Sequence, residues 1–131
     1  MKKITYHQNI FINCPFDSTY DQFLNILIFT ILACGYSPRC AKETGDSGKI
    51  RINEIKKIIA ECQFGIHDIS YANTDPKTKL ARFNMPLELG LFLGAKQYGD
   101  LKQRKKICLI LDIKKYRYQK MKLPRGKPRG I

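Results

Sequence analysis

The chain is short of acids and histidines and has no long apolar run, and each shortage removes a class of protein. Its longest strongly apolar stretch, Phe23 to Cys34, is interrupted by Asn25 and Thr30. A helix needs about 20 apolar residues to cross a bilayer core of about 30 Å, so this stretch reads as a buried helix rather than a membrane span. The opening residues Met1 to Asp17 carry two lysines but neither an uninterrupted apolar segment nor a small-residue cleavage site, and a cytoplasmic protein is expected. The five cysteines, Cys14, Cys34, Cys40, Cys62 and Cys108, are odd in number and include no C-x-x-C pair. They fall in segments patterned as core strands and helices, which favours reduced, mostly buried thiols over disulfides. With only His7 and His67 as histidines, the tight Cys/His pairs of a structural zinc site are missing, and neither metal nor cofactor is expected.

What is abundant is positive charge, 24 Lys and Arg against 11 Asp and Glu, for a formal net charge of +13. It is unevenly placed. Residues 1–95 hold 11 basic and 9 acidic residues, whereas residues 96–131 hold 13 basic and 2 acidic. The basicity therefore describes the C-terminal quarter, its solubility and its general attraction to polyanions, and not the chemistry of the main body.

At 131 residues the chain fits one domain with one core. Asn9 to Cys14 is a short apolar strand ending at Pro15. A helix follows, with Asp17 or Ser18 as N-cap and Gly35 where a left-handed C-terminal residue is wanted. Tyr36 to Cys40 is a weak second strand. From about Ile50, the residues Ile52, Ile55, Ile58, Ile59 and Cys62 recur at helical spacing. Phe64 to Ser70 reads as a third strand and residues 71–84 as an exposed loop. A third helix opens with Pro86 in its first turn and closes near Gly99. Lys106 to Ile113 has the uniformly apolar pattern of a strand buried on both faces. Three strand-helix repeats and a fourth strand imply right-handed parallel β-α-β units. The fold class expected is thus α/β, an open parallel sheet with helices on both faces, over residues 1–119. Residues 120–131, with the near repeat P-R-G-K-P-R-G, are expected to form a basic, extended tail.

Ligands of such sheets bind outside the carboxyl ends of the strands. The unusual polar residues fall there: Asn13, Cys14 and Asp17 after strand one, Arg39 at the end of strand two, and His67, Asp68 and Ser70 after strand three. The lone acid of the third helix, Glu88, is expected in its first turn, where its side chain can point back to the same edge. On the helical wheel it groups with Leu91, Phe92 and Ala95, while Gly90 and Gly94 lie on other faces and permit close packing. A carboxylate between apolar walls suits a general base, a nucleophile, or a partner for a sugar hydroxyl and a cationic transition state. The plainer alternative is a first-turn Glu that complements the helix dipole. His67 and Asp68, adjacent on one strand, point to opposite faces and cannot form a simple dyad.

Three segments, Asn9 to Leu27, Gly65 to Ser70 and Asn84 to Lys96, resemble motifs of nucleoside 2-deoxyribosyltransferase-like proteins and, more distantly, of Toll/interleukin receptor (TIR) domains. The chain is also similar to bacterial TIR-like proteins carrying Asn-Cys-Pro-Phe-Asp, Gly-Ile-His-Asp and Asn-Met-Pro-x-Glu-Leu-Gly, over about Asn9 to Gln119. The resemblance implies a flavodoxin-like sheet of four to five strands, with residues 120–131 a poor candidate for the fifth. It also implies nucleotide or nucleoside binding and cleavage of an N-glycosidic bond, with Glu88 of Glu88-Leu89-Gly90 as the catalytic carboxylate. Ligand contacts would come from Asn13, Pro15, Phe16, Asp17, Arg39, His67, Asp68, Asn84 and Met85.

Two other classes remain open on the sequence. One is a TIR-like interaction or nucleotide-sensing module without chemistry. The other is nucleic-acid binding by the basic end through phosphate neutralisation and stacking on Tyr116 and Tyr118, against a merely solubilising tail. Finally, Leu24, Leu27, Ile28, Ile31 and Leu32 already form a stripe wide enough to cover the sheet, yet Ile26 and Phe29 lie on the opposite side of that helix. A helix apolar on both faces is buried on both, so a homodimer through it is expected.

Overall fold

In the computed structural model, residues 5–16, 18–41, 48–70 and 84–113 are described, with residues 48–51 described as backbone only. Asp17, most of the expected 71–84 loop and the basic tail lie outside the described residues. The elements run β1 (Asn9–Asn13), α1 (Asp21–Ala33), β2 (Ser37–Arg39), α2 (Gly48–Ala60), β3 (Phe64–Asp68), α3 (Asn84–Tyr98) and β4 (Ile107–Leu111). Single-turn 3-10 helices at Tyr6–Gln8 and Gln103–Lys105 precede β1 and β4. No helix among the described residues is long and apolar enough to cross a membrane.

The four strands form one sheet in the order β2-β1-β3-β4, every pair parallel. This α/β arrangement is compatible with a flavodoxin-like open sheet. Period-2 alternation sends Ile10, Ile12 and Ile66 to one face, where they meet Tyr20, Leu24, Leu27, Ile28 and Ile31 of the α1 segment. Phe11 points to the other face and packs with Ile55, Ile58, Ile59 and Cys62 of the α2 segment and with Phe92 of α3. Met85 and Leu89 extend that second layer over Ile69, with Cys108 and Ile110 of β4 packed alongside. Right-handed crossovers require this division, because α1 leads the chain one way from β1, whereas α2 and α3 lead it back the other way.

Several local expectations need correction. The first helix begins at Asp21 with Tyr20 at its N-cap, and no side-chain capping bond is made there. Tyr20 is buried against the sheet, and that anchorage holds the entry to the helix, so Ser18 does not cap it. Gly35 does adopt the left-handed conformation, φ +83°, and the Tyr36 N–H closes the helix end by donating to the Ile31 carbonyl. Leu32 leaves the buried stripe and is exposed, its place on the sheet being taken by Tyr20 one turn before Leu24. Gly90 and Gly94 permit no close approach, since a Cβ on either would meet no described atom within 4 Å. The glycine that is needed is Gly65, where a Cβ would fall 2.7 Å from His67 Nε2 and 2.8 Å from the Phe92 ring. Among the described residues β4 is an edge strand with one face covered by α3 and no element on the other, and Ile107 and Leu109 are more than half exposed.

Candidate functional site at the carboxyl edge of the sheet

The chain turns one way from β1 to β2 and the other way from β1 to β3, so the strand order reverses between β1 and β3. That is the topological switch point of an open α/β sheet, where the two diverging crossovers leave a crevice at the carboxyl ends. β1 ends there in Asn13 and β3 in Asp68, one register step apart, with Asn13 paired to His67.

Asp68 is held on both oxygens. The Tyr20 hydroxyl donates to Oδ2 at 2.5 Å, and the Ser70 backbone N–H donates to Oδ1 at 2.9 Å. The short O–H···O distance is that of a charge-assisted bond, and both partners are buried. The sequence points to Asp68 and Ser70 but not to Tyr20. Its signal was present nonetheless, in the spacing of Tyr20, Leu24, Leu27 and Ile31, which extends the buried stripe one turn before the helix. Tyr20→Phe is expected to cost about 1–2 kcal/mol in urea unfolding, because it strips a buried carboxylate of its donor while keeping the ring in place.

Asn13 and His67 belong to the opposite face of the sheet. The Asn13 amide donates one N–H to the Met85 carbonyl at 2.8 Å and stands 2.9 Å from His67 Nδ1. Because the first acceptor is a carbonyl, the group facing His67 is also N–H, so His67 accepts through Nδ1 and carries its proton on Nε2. His67 is wholly buried between Phe11 and Phe92, with ring centroids at 5.7 and 4.9 Å. Burial drives its pKa down to about 3, which keeps it neutral across the physiological range and makes it part of the core rather than a ligand contact. Asn13 is likewise a buried tie. It joins the end of β1 to the start of α3, one turn before Glu88.

Glu88 is the fifth residue of α3, since the helix starts at Asn84, and no acid occupies the first turn. The dipole account needs a carboxylate near the first, unpaired N–H groups, and its effect fades beyond that turn. Helix complementation therefore does not explain why Glu88 is only 6 % exposed. Its surroundings are registered by Cys14, directly after β1. The Cys14 thiol is pushed up to about 12, by burial first and then by Cys40, Asp68 and Glu88. A thiol with that pKa stays protonated at neutral pH. Asp68 stands at the end of β3, and Glu88 one turn beyond Met85, whose carbonyl is tied by Asn13 to the end of β1.

No protein-family model and no curated protein matches this chain. The reading of the site therefore rests on its own geometry and on the motifs. Pro15 is buried at the turn out of β1, and Phe16 is half-buried against the α1 face. Met85 is buried and offers its carbonyl to Asn13, whereas Asn84 is exposed at the helix start. Arg39 stands apart from this group. Its guanidinium pairs with Glu61 at 2.8 Å, and the two line a cleft of about 350 Å³ with Tyr6, Asn9 and Lys102. Among the described residues no three His, Cys, Asp or Glu side chains come together in a way that would hold a metal ion.

Proposed function

We propose that the domain binds a nucleotide or nucleoside at the carboxyl edge, and that Glu88 acts on the N-glycosidic bond of the bound molecule. The observation that carries this reading is a pair of buried carboxylates by the switch point, Asp68 at the end of β3 and Glu88 one turn beyond Met85, whose carbonyl is tied by Asn13 to the end of β1. Two carboxylates beside apolar walls suit a sugar. One orients hydroxyls, and the other meets the positive charge that develops at the anomeric carbon as the bond to the base lengthens. Asp68, clamped by Tyr20 and Ser70, has the fixed geometry that orientation requires. Glu88 is the nucleophile or the stabilising charge. As a nucleophile, a carboxylate oxygen bonds to the anomeric carbon while the C–N electron pair leaves on the base, and water then hydrolyses the ester. The likeness of the Glu88-Leu89-Gly90 helix to deoxyribosyltransferase motifs supports the same assignment.

The test is base release from NAD and from deoxynucleosides, wild type against Glu88→Gln, with binding followed by calorimetry. The expected result is release that falls by ~100-fold or more in the variant while binding persists. Release that is unchanged in Glu88→Gln removes Glu88 from the mechanism. Binding without release in the wild type leaves the noncatalytic sensing module, and absence of binding overturns the proposal altogether.

A further inference from the structure

The bare faces of α1 and β4 lie on the same side of the sheet. Ile66 of β3 packs against the α1 layer, and its register partner on β4 is Leu109; Phe64 is likewise paired with Ile107. Partners in a parallel ladder point to the same face, so Ile107 and Leu109 belong to the α1 side. There they are uncovered, as are Phe23, Ile26, Phe29 and Leu32 of α1, every one of the six more than half exposed.

We infer that this surface is the contact between two copies of the chain, an isologous dimer in which α1 packs against α1 and the bare side of β4 closes the rim. The exposed area of the six side chains is roughly 600 Å² per copy, three quarters of the ~800 Å² that each partner of a standard interface buries and at the upper end of the ~300–600 Å² of the largest apolar patch on a typical monomer. Charge selects the partner. In a chain of net charge +13, the only ionisable carboxylate or cation on α1 is Asp21, and β4 has none. Two copies can therefore meet here without opposing their positive charge. An antiparallel crossing of the two α1 helices places the two Asp21 carboxylates at opposite ends, and Ile26 and Phe29, near the helix centre, come close to the two-fold axis. The sequence that follows β4 is strongly basic, residues 114–131 containing eight Lys and Arg and no acid.

Sedimentation velocity and light scattering over a concentration series test the inference, independently of any activity. The wild-type chain is expected at twice its monomer mass, and Ile26→Glu/Phe29→Glu is expected to raise the dimer dissociation constant by ~100-fold or more while circular dichroism is retained. Should that variant fail to fold, Phe29→Cys in a Cys34→Ser background decides, since a two-fold α1 contact gives a covalent dimer on mild oxidation at low concentration. A wild-type monomer at high concentration, a dimer untouched by the two glutamates, or no cross-link through position 29 overturns the inference.

Discussion

Lowering the pH from 7 to 4 is expected to remove about 3 kcal/mol of folding stability through His67 alone. The imidazole is wholly buried, and burial holds its folded pKa at about 3, against 6.5 for the free side chain. Between those values the unfolded chain binds a proton that the folded one refuses. Stability from this source is therefore complete above pH 6.5 and is lost as the pH falls toward 3. Protonation would also turn Nδ1 into a donor facing the Asn13 N–H, a clash of like groups at 2.9 Å. Urea midpoints followed by circular dichroism from pH 7.5 to 4 measure the slope. His67→Gln is expected to be less stable at pH 7 but to have a flatter acid limb. An acid limb as steep in that variant as in the wild type would assign the loss to other groups.

Replacing Lys106 is expected to have the other large effect, about 3–5 kcal/mol for Lys106→Ala in the same assay at pH 7. This lysine, the residue just before β4, has no exposed surface. Its Nζ donates to the Ile59 carbonyl at 2.6 Å, which also accepts from the Cys62 N–H, and to the Cys62 carbonyl just beyond α2, where a cation also complements the helix dipole. The ammonium sits 4.9 Å from the centre of the Phe92 ring and 5.1 Å from that of Tyr6. Burial lowers its pKa to about 8, so it is still largely charged at pH 7. Alanine would empty the space of the stem and remove the ammonium donor from both carbonyls. Lys106→Met keeps most of the stem, so its loss is expected to be roughly half as large, which separates packing from hydrogen bonding. Equal losses in the two variants would place the whole effect in the polar contacts.

The residues that resisted reading from the sequence are those whose role depends on a partner far along the chain. Arg39 and His67 both follow the rule that polar residues at strand ends gather at the ligand edge, yet neither serves it. Arg39 is drawn to Glu61, 22 residues on, and His67 faces inward because its neighbour Asp68 takes the outward position toward Tyr20. Lys106 opens the segment read as an apolar strand, and nothing local shows that its ammonium is buried against the α2 terminus. β4 carried the unbroken apolar pattern of a strand covered on both faces. Pattern alone cannot report that the second cover is not supplied by the described residues of the same chain.

Alternating apolar periods, turn formers and crossover lengths act over a few residues, and so the sequence alone determined the order of elements and the parallel sheet. It also singled out Asp68 and Glu88, because an acid among apolar residues in a basic chain stands out at any distance. The burial of Glu88, the clamp of Tyr20 on Asp68 and the neutral, buried state of His67 were decided only by the tertiary structure. Each depends on which side chains meet across the sheet and on how much water their meeting expels, and neither quantity is a property of a local stretch of sequence.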